Sequence, residues 1–288
     1  MIPRSLLFVP GDRPERMEKA AISGADAIIL DLEDAVSLTR KEFARDAIVR
    51  FLALHDARSV DVIVRINPLD TEECVKDLEV IRAGRVAAVM LPKSEGAASI
   101  IALLGMLRTP IPVLPIAAET PSSLFSLGSY VEVSQHLFGI TWGAEDLATS
   151  VGATSSRTVE GCFRSPLETA RNLTLFAAAA ADTAAIETVY ANVRDRDGLH
   201  AEAYRAAAEG FSGMMAIHPD QIRTINAAFS PTAAEFAEAR QIIRLFEKHP
   251  ESGVATLNGK MVDAPHHKRA RAIIKRARRI SERTNAAS

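Results

Sequence analysis

Two cysteines are all that the 288 residues contain. Cys74 and Cys162 stand far apart and form no zinc or redox motif. Their scarcity fits a reducing cytoplasm. An excess of one charge is also missing: 34 Lys and Arg face 36 Asp and Glu, a formal net charge of −2. That balance gives no global attraction to nucleic acid or to an anionic membrane, and no such partner is expected. No apolar run approaches the roughly 20 residues of a membrane-spanning helix. The stretch SLLFV near the N-terminus is too short for a signal-peptide core, and charged residues follow it at once. The expected setting is the cytoplasm. A GxGxxG turn is absent after the first apolar run, which argues against a dinucleotide-binding fold.

What the chain does have is a set of short apolar runs that end in charge. They read AIILDLED (27–34), VDVIVRIN (60–67), AAVMLPK (87–93), IPVLPIAAET (111–120), HLFGITWGAED (136–146) and MMAIHP (214–219). Runs rich in Val, Ile and Leu but too short for helices are what strands buried on both faces look like. With 5–9 and 184–190 they predict eight strands, at 5–9, 26–32, 60–66, 86–91, 111–117, 136–141, 184–190 and 212–217. Helix-like segments alternate with them: 14–23, 40–54, 72–82, 94–107, one opening at Thr120-Pro121, 166–182, 198–209 and 219–228. Pro14 suits an early helical position. A longer insertion with Gly143, Gly152 and Gly161 follows the sixth strand.

Repeated alternation argues a parallel sheet, and eight units favour closure into a (β/α)₈ barrel over residues 1–229. The 48% hydrophobic content can fill its core. Residues 230–288 form a C-terminal helical extension. They read as an amphipathic helix, a hairpin-like or looped link and a basic terminal helix, suited to a lid or to subunit contact.

Acids and cations just past strand ends are how such a barrel builds an active site. Glu119 and Asp146 end adjacent strands, and two carboxylates completed by water and substrate oxygens are how Mg²⁺ is usually held. Each acid alone would serve equally as a helix cap. Asp31, Glu33 and Asp34 crowd the end of strand two and are expected around the metal or its water shell rather than as ligands. Arg65 sits among apolar residues near a strand end, where its guanidinium fork fits a carboxylate, either of substrate or of a protein acid such as Glu33. Lys93 is a similar strand-end cation with a weaker case. His218, before a proline, suits a structural role as well as a catalytic one. Phe8, Arg13 and Lys19 of the first β/α unit suit an adenine and phosphates, or in the cations' case a solvated helix face.

Taken together, RSLLFVPGDRPERMEKA, GADAIILDLEDAV, VRIN, LPKSE, AAET, TWGAED, AIHPDQI and NGKMVDAPH resemble the citrate lyase β-subunit-like family. That family lies within the HpcH/HpaI aldolase superfamily and includes malyl-CoA and citramalyl-CoA lyases. The motifs run in family order from residue 4 to about 265. The resemblance implies a (β/α)₈ TIM barrel assembled as a homotrimer or hexamer, with Mg²⁺ (or Mn²⁺) on Glu119 and Asp146. Arg65 matches the arginine on the substrate carboxylate and carbonyl. Phe8, Arg13 and Lys19 match positions that contact CoA and substrate. Asp263 matches an acid carried on the C-terminal lid, and nothing in its local sequence would single it out. Ala118 and Pro121 around Glu119, and Glu187-Thr188 where relatives often carry Asp-Gly, depart from the pattern and mark a distinct subgroup.

The implied activity is a Mg²⁺-dependent carbon–carbon lyase acting on a 3-hydroxyacyl-CoA thioester of the malyl-, citramalyl- or citryl-CoA type. It would give an acyl-CoA and a 2-oxo acid, with Asp263 as the base that works on the thioester α-carbon. Three other readings stand beside it: a CoA-thioester hydrolase in the same pocket, a CoA-independent metal-dependent 2-oxo acid aldolase, and a β subunit within a citrate lyase complex.

Overall fold

The computed structural model describes residues 2–54, 60–248 and 253–287, with side chains through residue 283. Positions 249 and 252, at the end of the expected tail helix and the start of the link after it, lie outside the described residues. The chain divides into two compact units, one from Ile2 to Asn226 and one from Ala227 onward.

In the first unit, β1 (Ser5–Pro10), β2 (Ala27–Asp31), β3 (Asp61–Arg65), β4 (Ala88–Leu91), β5 (Val113–Pro115), β6 (Ile186–Glu187) and β7 (Gly213–Ala216) form one sheet. Every pairing is parallel, in the order β5-β4-β3-β2-β1-β7-β6. Period-2 alternation sends Leu6, Ile29, Ile63, Met90, Leu114, Ile186 and Met215 into one shared core. The intervening Leu7, Ile28, Val62, Val64 and Val89 are equally buried on the other face. Each such side chain contributes roughly 1.5–3 kcal/mol by leaving water.

The α-helices are α1 (Pro14–Ala21), α2 (Lys41–Leu54), α3 (Glu72–Ala83), α4 (Ala97–Leu107), α5 (Ala144–Ser150), α6 (Ser165–Ala180), α7 (Arg196–Glu209) and α8 (Ile222–Ala228). Local chemistry sets several ends. Pro14 opens α1. The Thr71 hydroxyl accepts from Cys74 N at the start of α3, and the Asp195 carboxylate accepts from Gly198 N at the start of α7. The helix expected at Thr120-Pro121 is instead two 3₁₀ segments, Ser122–Phe125 and Leu127–His136.

The expected closed barrel of eight strands is corrected to a curled sheet of seven. Residues 136–141 form no ladder strand. They make isolated parallel bridges, Val113 with Leu137 and Ile116 with Thr141 on the β5 side and Ile140 with Ala185 on the β6 side. Two features explain this. The register slips by one residue between the first two bridges, and Pro115 has no N–H to offer. The segment still spans the two sheet edges, through Phe138 N to Val113 O (2.8 Å), Ala117 N to Thr141 O (2.8 Å) and Ile140 N to Ala184 O (2.7 Å).

The second unit holds α9 (Ala233–Lys248), an antiparallel hairpin of β8 (Val254–Leu257) and β9 (Lys260–Asp263), and α10 (Ala264–Ala287). Thr232 and Glu235 form a capping box at the start of α9: Glu235 N donates to Thr232 Oγ1, and Thr232 N donates to Glu235 Oε2. The hairpin turns on Asn258-Gly259, both at positive φ (50° and 78°), as a type I′ turn requires. Ala239, Ile242, Val262 and Ala270 form its buried core.

Candidate active site

The alternation that fills the sheet interior also delivers charge to its C-terminal edge. Asp31 and Arg65 are direct register partners on β2 and β3, so their side chains share a face. They form a two-pronged ion pair, Arg65 Nε to Asp31 Oδ1 and Nη2 to Oδ2, both 2.7 Å. Asp31 also accepts from the backbone N–H groups of Glu33 and Ala35, which fixes the turn after β2. Glu33 stands 3.0 Å from Arg65 Nη1, and its other oxygen takes a 2.7 Å bond from Lys93 Nζ. Phe8, which lies next to β2 on β1, places its ring 4.9 Å beneath the Arg65 guanidinium.

Lys93 joins this group to the second pair of acids. It follows β4 in a left-handed conformation (φ 50°), unusual for a residue with a Cβ. That turn aims its backbone N–H at Glu119 Oε2, 2.6 Å away, while its ammonium reaches Glu33. Glu119 is brought in by the strand-edge bonds of residues 117–118 to residues 141–143. The same bonds place Asp146, in the first turn of α5, beside the Glu119 carboxyl, whose pKa it helps to raise. Gly143 leaves room for this: a Cβ there would stand 3.2 Å from Glu119 Cγ.

Burial pushes the Glu119 carboxyl up to about 8, Asp146 pushes the same way, and the Lys93 N–H opposes them. Burial also raises Glu33, against the pull of Arg65 and Lys93. Burial works against the charge of Arg65, but Asp31 and Glu33 outweigh it and hold the guanidinium above its ordinary value. Lys93 is raised likewise, with Glu33 overcoming partial burial.

Phe8, Arg65, Glu119, Trp142, Asp146 and Met215 line a cavity of about 100 Å³ here. Its floor includes Trp142, whose indole N–H donates to Glu187 Oε1 (2.7 Å), while Glu187 Oε2 accepts from Arg171 Nε (2.6 Å). Sequence reasoning marked Glu187 only as a departure from pattern. Its use as a buried anchor for Trp142 needed the fold.

The donor set suits a hydrated Mg²⁺. Glu119, raised by burial and by its acidic neighbour, keeps its proton near neutral pH unless a cation replaces it. Among the described residues no group of three or more His, Cys, Asp or Glu is gathered for a metal, so protein donors alone would leave positions for water and substrate oxygens. Glu33 Oε2 is buried, and its charge is met by the ion pair with Arg65 Nη1.

The other expected residues of the first unit, Asp34, Arg13, Lys19 and His218, do not line this cavity. Asp34 is exposed. Arg13 caps the start of α1, half exposed and 3.6 Å from Asp12, and Lys19 is exposed on the last turn of α1. His218 caps the 3₁₀ turn Pro219–Gln221, its Nδ1 accepting from Asp220 N (3.2 Å). Asp263 belongs to the second unit. There its Oδ1 lies 2.5 Å from His266 Nδ1, and that bond holds the carboxyl below its ordinary value.

A curled parallel sheet that gathers paired carboxylates, an arginine and a lysine at its C-terminal edge has the architecture of a barrel-like α/β enzyme. The family model for HpcH/HpaI aldolase/citrate lyase matches residues 4–219. The chain belongs to that family and is an enzyme of the lyase class. A citrate lyase subunit beta-like protein of Mycobacterium tuberculosis is 36% identical over 271 residues, covering 94% of each chain. A (3S)-malyl-CoA thioesterase of Cereibacter sphaeroides is 34% identical, covering 96% of this chain and 95% of that one. The crystal structure of protein CitE from M. tuberculosis, in complex with magnesium, acetoacetate and coenzyme A, superposes with a TM-score of 0.82. It is 35% identical and covers 95% of this chain and 97% of its own.

Proposed function

We propose that this protein is a Mg²⁺-dependent CoA-ester lyase, reversibly joining an acyl-CoA to a 2-oxo acid through a carbon–carbon bond. The observation that carries the reading is the pairing of buried Glu119 with exposed Asp146 beside Arg65 in one cavity. The CitE complex with magnesium, acetoacetate and coenzyme A supports it. Glu119 and Asp146 would hold the metal, which when bound polarises the carbonyl and carboxylate oxygens of the 2-oxo acid.

The remaining roles fall to the chain's own groups. Arg65, with its Asp31 and Glu33 partners setting its plane, presents a fixed positive charge to the substrate carboxylate and carbonyl oxygen. Lys93 holds Glu33 and Glu119 in register through its side chain and its backbone N–H. Phe8 and Trp142 wall the cavity and exclude water. Phe8, Arg13 and Lys19 serve the CoA side of the substrate. Asp263, on a C-terminal segment acting as a lid, takes the proton from the thioester α-carbon in condensation and returns it in cleavage. Residues 136–141 span the gap between the two sheet edges, and the protein works as a homo-oligomer.

The test is a panel of 2-oxo acids with acetyl-CoA and propionyl-CoA, with and without Mg²⁺, read by mass for condensation product and free CoA. Mg²⁺-dependent product from at least one pair is expected. No product from any pair, with no cleavage of malyl-, citramalyl- or citryl-CoA, overturns the reading. The malyl-CoA thioesterase relative favours a second reading, thioester hydrolysis in the same pocket. Free CoA released from malyl-CoA together with malate, and no 2-oxo acid, would establish that one instead.

A further inference from the structure

Asp263 closes β9 and stands at the N-terminal end of α10. An aspartate there ordinarily accepts from a backbone N–H two or three residues on. Here that backbone contact is long, 3.5 Å from His266 N to Asp263 Oδ1, and the His266 imidazole Nδ1 stands 2.5 Å from the same oxygen. An ionised carboxylate only accepts, so Nδ1 carries the proton of this 2.5 Å bond, and the longer 3.3 Å approach of Asp263 N to the same nitrogen is a contact rather than a second bond. Among the described residues, each hydrogen bond to this carboxylate falls on Oδ1. Both side chains are partly open to solvent, 44% for the imidazole and 34% for the carboxylate.

The pair is framed by packing on both sides. Val262, just before it, and Ala270, two turns into α10, are buried in the core of the second unit. His267, just after it, stacks on Phe246 of α9 with ring centroids 4.7 Å apart and planes 21° from parallel. The first turn of α10 is therefore pinned, and the carboxylate plane is set by the imidazole rather than by the helix backbone.

We propose that His266 is a positioning residue for proton transfer: its Nδ1–H fixes Asp263 Oδ1 so that Oδ2 is the atom that meets the thioester α-proton. The inference rests on the reading above in which Asp263 is the base. In condensation the α-carbon's C–H bond breaks and the proton moves to Oδ2. The electron pair stays on that carbon and forms the new bond to the carbonyl carbon of the 2-oxo acid, whose C=O π pair moves onto the oxygen as an alkoxide that water then protonates. A bond from the imidazole lowers the carboxylate's basicity, so the gain from His266 is geometric, a carboxylate held in one orientation instead of many.

The experiment uses the full chain with Mg²⁺ and the acyl-CoA and 2-oxo acid pair that gives product. Three variants are compared: His266→Ala, His266→Asn and Asp263→Asn. The readouts are kcat and KM for the acyl-CoA, deuterium uptake at the thioester α-carbon from D₂O, and helical circular dichroism. His266→Ala is expected to lower kcat about 10–100-fold, the usual cost of losing an outer partner of a working group. Deuterium uptake should fall by a similar factor while KM stays within about twofold. His266→Asn, whose amide N–H can replace Nδ1–H, should restore most of both rates. Wild-type rates in His266→Ala overturn the proposal. So does failure of His266→Asn to restore them, since His266 then braces α10 or acts otherwise. Full activity in Asp263→Asn removes the base reading and this one with it. An inactive Asp263→Asn beside a fully active His266→Ala removes the role of His266 alone.

Discussion

At the residue scale the site is a chain of charge: Arg65 with Asp31 and Glu33, Glu33 with Lys93, Lys93 with Glu119, and Glu119 with Asp146. Breaking it in the middle leaves buried carboxylates uncompensated. Arg65→Lys keeps one charge but cannot reproduce the two-pronged grip on Asp31, and kcat should fall about 100-fold. Unchanged steady-state rates would remove Arg65 from the mechanism.

Glu119 carries a pH prediction. Its carboxyl sits near 8 in the metal-free folded protein against 4.5 when unfolded, so the folded state binds more protons between those values. Stability from this group is full below about 4.5 and is lost as pH rises through about 8. Thermal melts in a chelator should show Tm falling from pH 5 to 8.5, and Glu119→Gln should flatten that slope. Mg²⁺ needs the ionised pair, so its binding at pH 7 should release close to one proton. Calorimetry in buffers of different ionisation enthalpy measures that number. No release would remove this pair as the metal site.

At the scale of elements, short strands place side chains by count. β2 and β3 are five residues each, and their last residues, Asp31 and Arg65, pair because the register is one-to-one. The loops then do what the strands cannot: the left-handed turn at Lys93 and the close approach at Gly143 bring Glu119 to its neighbours. Gly143→Ala would crowd Glu119 by a few tenths of an ångström. Mg²⁺ affinity should weaken about 10-fold, as for other changes around metal ligands, with the helical circular dichroism intact. In the hairpin, Gly259→Ala should cost the tail about 1 kcal/mol, read as faster amide exchange in β8 and β9.

At the scale of the whole molecule, the two units differ in core size. The first buries layers of Ile, Leu, Val and Met on both faces of its sheet, while among the described residues the second has six buried hydrophobic residues, three of them alanine. The single tryptophan, Trp142, reports only on the first unit. In a denaturant titration, part of the far-ultraviolet signal should therefore be lost before Trp142 fluorescence changes. Coincident transitions would show one cooperative unit.

The alternation of buried strands and helices was legible because each run is apolar, short and bounded by charge or glycine. Seven of the eight strand positions appear in the structure for that reason. The eighth did not become a ladder, because Pro115 and a one-residue slip are properties of its neighbour rather than of its own sequence. Acids at strand ends could likewise be read as candidates from position alone. Which of them meet could not: an ion pair forms between Arg65 and Asp31 because β3 lies beside β2 in register, 34 residues away in the chain. Lys93 has a weaker case than Arg65 in the sequence, yet it links the two acid pairs, since its φ of 50° is set by the turn it occupies. Sequence by itself determined where charge would stop each strand, because burial on both faces leaves no other place for it. Tertiary structure alone decided the partners, because distance between side chains follows from sheet order and turn geometry, which local composition does not encode.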